Sequence, residues 1–209
     1  MSITPSDNQF IPTNYQMLLT SLLPPSHPHT FLSLPISPHK PLVPSQQISS
    51  LQLHPVIESA LHVLNLDLAS AHFLLRHMQA EPAFEAMYLH GILHRVEGDI
   101  DNARAWYSDV KDREVFKVTW PGMSGFDEAM RFLGRVELRK VNRGKSDEEE
   151  DRELREESLR ELKEVIRFCE KKCGTEKVDD ASQIWVSMSE KNKNIAEKMI
   201  TGGEGWRKF

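Results

Sequence analysis

The chain has 209 residues, enough for one domain with a proper hydrophobic core and an additional arm. Its formal charge of −5 comes from 26 basic and 31 acidic residues that are mixed through the second half, so no basic face able to hold a phosphate backbone is expected and nucleic acid is not a predicted partner. The only cysteines, Cys169 and Cys173, make no disulfide framework and suit a reducing compartment, read as cytoplasmic with the nucleus left open.

Residues 1–54 are punctuated by Pro5, Pro12, Pro24, Pro25, Pro28, Pro35, Pro38, Pro41 and Pro44 in a Ser, Thr and Leu background with almost no charge. Proline at this density opposes both helix propagation and sheet pairing, which predicts a flexible or polyproline-like arm with a short docking segment around Tyr15 to Leu23. The spacing Pro35-Ile36-Ser37-Pro38 offers an incomplete match to ligands of proline-reading domains. The apolar run from Gln16 to Leu23 is too short to span a bilayer and lacks the basic start and small-residue cleavage pattern of an export signal. No membrane association and no export are expected, and an arm without arginine argues against a mitochondrial presequence.

A helical domain is predicted over 55–209. Ile57, Ala60, Leu61 and Leu64 recur at helical spacing behind Pro55, a residue suited to a first turn. Asn65 is placed to end this helix in the left-handed conformation and Asp67 to cap the next, whose stripe is Leu68, Ala71, Leu74, Leu75 and Met78. Together they form a first hairpin, 55–79. Pro82 opens a second, 82–110, with Phe84, Met87, Tyr88, Gly91, Ile92 and Val96 on one helix and Ala103, Trp106, Tyr107 and Val110 on the other, separated by Gly98-Asp99. A further helix follows the Trp120-Pro121-Gly122 break, capped by Ser124. Residues 142–151 read as an exposed acidic linker, and C-terminal helices are predicted over 152–173 and 187–201, followed by an aromatic and basic tail from Trp206.

Superimposing Asp67 on Asp99 places Ala71 on Ala103, Leu75 on Tyr107, Ser59 on Gly91 and His62 on His94, the self-match of a helix-turn-helix repeat. The segment from Ala86 to Tyr107 resembles a tetratricopeptide repeat in its small residue Gly91, its Gly98-Asp99 turn, its small residue Ala103 and its aromatic Tyr107. The resemblance covers roughly 52–115, and it departs from the family where His90 and His94 replace large apolar residues. The same string is similar to a fungal and bacterial group with an HGxxHRxEGDxxNAxxW core, which brings no established activity. The implied fold is all-α: antiparallel tetratricopeptide-like helix pairs packed with the C-terminal helices.

The candidate site is His90, His94 and Glu97, whose separations of four and seven put them on one stripe of a helix. Two imidazoles one turn apart and a carboxylate can share a divalent metal, with His62 and His72 as possible neighbours. The plainer reading packs the histidines between helices, hydrogen-bonded to backbone or to Asp67 and Glu97. Arg95, Asp101, Asn102 and Arg104 are expected to be partly exposed, where they could line a groove that reads a peptide carboxylate. No phosphate loop, serine elbow, paired CxxC motif or dinucleotide fold is present. The function these signals favour is a non-catalytic module that binds another protein or peptide, without a cofactor. The alternative is a small metal-dependent or histidine-based enzyme or ligand-binding protein with a pocket around His90 and His94.

Overall fold

The computed structural model describes residues 14–24, 41–141, 147–187 and 193. It is built from α1 (Tyr15–Leu22), α2 (Ser45–Ser49), α3 (Pro55–Leu64), α4 (Leu68–Leu75), α5 (Phe84–Glu97), α6 (Ile100–Val110), α7 (Glu114–Thr119), α8 (Gly125–Val141) and α9 (Glu148–Cys173), with a 3-10 turn at Arg76–Met78. No strand occurs among the described residues, so the all-α expectation holds. None of their helices is long and apolar enough to cross a membrane.

Helices pack as consecutive pairs, α3 with α4 and α5 with α6, and α4 in turn lies against α5. The caps that start the second helix of each pair are the expected ones. The Asp67 carboxylate accepts from the Ser70 N–H, and that of Asp99 accepts from Asn102, each satisfying an orphan donor of the first turn. Gly98 ends α5 at φ +88°, a left-handed conformation that costs glycine nothing. In the first pair the left-handed residue is Leu66, at φ +58°, while Asn65 stays right-handed. The Asn65 side chain is engaged elsewhere: its amide donates to the Val43 carbonyl and accepts from the Val43 N–H, both at 3.0 Å.

This tie and its neighbours revise the arm. Ser45 Oγ donates to Asp67 at 2.5 Å, and Ile48 and Leu53 are buried, so residues 41–54 pack onto the first hairpin although 1–54 read as flexible. Helix α1 falls on the expected docking segment, burying Tyr15, Leu18 and Leu22, and the Tyr15 hydroxyl donates to Glu170 on α9. Leucines one turn apart supply the apolar face that outweighs the surrounding prolines. Residues 1–13 and 25–40 lie outside the described residues.

The acidic stretch is also read differently by the structure. Glu148 to Asp151 are the first turn of α9, capped by the Asp147 carboxylate, because negative charge is favourable at a helix N-terminus. Only 142–146 of the expected linker are not described. The helix expected over 187–201 lies outside the described residues but for 187 and Lys193, as does the tail from Trp206.

Helix α9 packs against α3, α5 and α7, covering the first helices of both hairpins. Close approach within the second hairpin depends on Gly91. A Cβ there would stand 2.8 Å from Tyr107 Cδ1 and 2.9 Å from Trp106 Cβ, so only glycine lets α5 and α6 meet at this crossing.

Candidate functional site

Helix α5 carries two polar faces. At about 100° per residue, His90, His94 and Glu97 fall within about 60° of arc, with Tyr88 and Arg95 roughly opposite. The first face turns to α4 and α6, the second to α9.

On the α9 side the structure corrects the expectation for Arg95. This side chain is 0% exposed, not a groove residue. Its Nη2 donates to Glu161 Oε2 and its Nη1 to Ser158 Oγ, both at 2.7 Å. The Tyr88 and Tyr107 hydroxyls donate to Glu161 Oε1 at 2.8 and 2.6 Å, and the Trp120 indole donates to the Tyr88 hydroxyl at 2.7 Å. Burial opposes the charge on Arg95, yet Glu161 and then Tyr107 outweigh it and hold the guanidinium above its usual range. Burial, then Glu161, raises both tyrosines well above theirs. This is a nearly saturated, buried internal network that fixes α9 against α5 and α6. The other expected groove residues serve the hairpin: Asn102 binds the capping Asp99, and Arg104 pairs with Asp101 at 3.4 Å and with Glu137 at 2.5 Å.

On the α4 side, imidazoles converge. His72 of α4 places Nε2 2.8 Å from both carboxylate oxygens of Glu97, and His94 Nδ1 lies 3.6 Å from Glu97 Oε2. His72, His94 and Glu97 can each offer one donor atom with no pair farther apart than 4.8 Å. Donors sharing a metal at bonds of about 2.1 Å stand roughly 3–3.5 Å apart, and the two edges to Glu97 are near that spacing.

Of the three-ligand edge expected from His90, His94 and Glu97, the structure brings together His94 and Glu97, and His72 stands in the place expected for His90. His90 stands behind it, 4% exposed, with its ring stacked on His94 (4.8 Å between centroids) and on Trp106 (4.9 Å), and its Nε2 3.2 Å from His72 Nδ1. Burial, reinforced by His94 and His72, pushes its pKa down to about 2. Burial and then His72 also lower that of His94, so both rings are neutral at pH 7 and keep a free lone pair. The His94 Nδ1 is buried without a hydrogen-bond partner, a cost that a ligand at this point would remove. His62 is not part of the group; it faces Asp67 at 3.2 Å and Glu58 at 3.7 Å.

The site opens to solvent. His72 and His94 are 17% and 16% exposed and Glu97 30%, and Glu97 also borders a cleft of about 370 Å³ lined with Asp99, Asp101, Glu137 and Lys140. Lys140 is engaged there with the Gly98 carbonyl at 2.8 Å.

His72 carried little signal in the sequence, since it lies on a different helix at no fixed spacing from the others. Glu161 carried one, because it interrupts the buried stripe Leu154, Ser158, Leu162, Val165 and Cys169 of a helix otherwise charged on its outer faces. Comparison of the chain with family models, with curated proteins and with solved structures finds no match. What fold and site define together is an all-α protein with a histidine and glutamate cluster where its first and second helical hairpins meet.

Proposed function

We propose that the protein binds a divalent transition metal ion through His72, His94 and Glu97, on a scaffold of tetratricopeptide-like hairpins. The observation that carries this reading is the convergence of two imidazoles and a part-exposed carboxylate, from two helices, with the His94 Nδ1 buried and lacking a hydrogen bond. Two nitrogens and one oxygen suit zinc, iron(II), cobalt or manganese rather than calcium or magnesium. Three protein donors leave coordination positions for water or a small molecule, which is the arrangement of a ligand-binding or catalytic centre more than of a closed structural one.

A protein or peptide partner read through the inner face of the hairpins has less support. Helix α9 covers α3 and α5 there, and the arginine expected to recognise a carboxylate is spent on Glu161.

The test is equilibrium titration of chelator-treated protein with zinc, cobalt(II), manganese(II) and iron(II), the last without oxygen. One equivalent should bind to the wild type. His94→Ala and Glu97→Gln should abolish binding with far-UV circular dichroism unchanged, and binding unaffected by both changes would remove the proposal.

A further inference from the structure

His90 is stacked between His94 and Trp106, yet its polar ring is not needed for that packing. It occupies a site where a leucine or phenylalanine would fill the same space between His94 and Trp106, and its Nδ1 is buried with no partner. An unsatisfied buried nitrogen destabilises the fold, so stability alone would favour an apolar residue. The hydrogen bond His90 does make is to the far nitrogen of His72, at 3.2 Å.

A neutral imidazole carries one proton, and valence decides where it sits. Without metal, His72 Nε2 lies 2.8 Å from both oxygens of the Glu97 carboxylate and donates to them, while its Nδ1 shares a single hydrogen with His90 Nε2 at 3.2 Å. With a metal on Nε2, the His72 proton has to reside on Nδ1, where it needs an acceptor. His90 Nε2 can become that acceptor if the His90 proton resides on Nδ1. Stacking on both faces holds the ring in register for either state.

We propose that His90 is a positioning residue for the metal site: it fixes the orientation of His72 and accepts its Nδ1 proton once a metal is bound, so that loading exchanges the tautomers of both rings. This rests on the metal reading above. In the exchange the Nε2 proton of His72 leaves to solvent, the shared proton passes from His90 Nε2 to His72 Nδ1, and a proton admitted by a transient opening of the α4 and α5 contact is taken up at the buried His90 Nδ1, with no net change on the pair. A ligating imidazole held through its other nitrogen is a recurring requirement of metal sites, and loss of such a partner weakens affinity by about tenfold to a hundredfold.

The experiment compares zinc affinity, by competition with a chromophoric chelator at pH 8, in the full chain carrying His90, His90→Phe or His90→Gln. It is paired with long-range ¹H–¹⁵N correlation of the wild-type imidazoles with and without zinc. Phenylalanine keeps the stacking and should weaken binding by about tenfold or more; glutamine, whose amide oxygen can accept, should recover most of it. His72 should change from the Nε2–H to the Nδ1–H tautomer on loading. A folded His90→Phe variant with wild-type affinity overturns the proposal, as does a His72 that keeps its Nε2 proton in the zinc form; if the phenylalanine variant does not fold, the spectra decide. A wild type that binds no zinc overturns the metal reading and this role with it, whereas failure of the variant comparison in a zinc-binding protein overturns the role alone.

Discussion

Arg95 on α5 and Glu161 on α9 meet at 2.7 Å with neither side chain reaching solvent, and two tyrosines and a serine complete the network around them. Breaking one side of such a pair leaves an uncompensated buried charge, which costs about 3–5 kcal/mol. Glu161→Leu should therefore lower stability by that amount in denaturant melts. The double variant Arg95→Met with Glu161→Leu should lose clearly less than the sum of the single changes, because no charge is stranded.

Gly91→Ala tests the α5 and α6 crossing. The added methyl would gain helix propensity yet collide with Tyr107 and Trp106, so a net loss of about 1–3 kcal/mol is expected, with helical content retained. Stability equal to wild type in thermal melts would show that the hairpin can open at no cost.

Helix α1 should contribute to the fold rather than trail from it. Leu18 and Leu22 are 1% and 0% exposed, and cutting a buried leucine to alanine costs roughly 2–5 kcal/mol. The double variant Leu18→Ala with Leu22→Ala should lower the melting temperature of the full chain, and an unchanged value would mean that α1 does not dock in solution.

His54 gives a pH dependence of definite sign. Its Nδ1 accepts from the Val56 N–H at 3.3 Å to cap α3, and burial holds its pKa below the usual histidine value. The unfolded chain therefore takes up a proton near pH 6.5 and the folded chain only at lower pH, so stability from this group is lost as pH falls below 6.5. His54→Ser keeps a cap that does not titrate. From pH 7 to pH 5 the wild type should lose more stability than the variant in urea melts. A variant at least as acid-sensitive as the wild type would contradict the assignment.

The parts of this molecule that were legible in its sequence are those decided within a few residues. Asp67 and Asp99 cap their helices because a carboxylate three residues before a backbone N–H is already in place, and the stripes of α3 and α5 follow from spacing alone. His94 and Glu97 shared a face for the same reason. His72 joins them only because α4 packs on α5, and Arg95 is buried by a glutamate 66 residues away. From the sequence its charge reads as a surface property, because that partner is distant in the chain. Leu66 took the left-handed position expected of Asn65 because the asparagine side chain was claimed by Val43, a contact across 22 residues.

The central claim is that His72, His94 and Glu97 hold one metal ion, and X-ray absorption on protein loaded with one equivalent of zinc addresses it most directly. The account predicts a nitrogen and oxygen shell at about 2.0–2.1 Å with the multiple scattering of two imidazoles, reduced to one in His72→Ala. A shell without imidazole scattering, or a spectrum unchanged in His72→Ala, would contradict it.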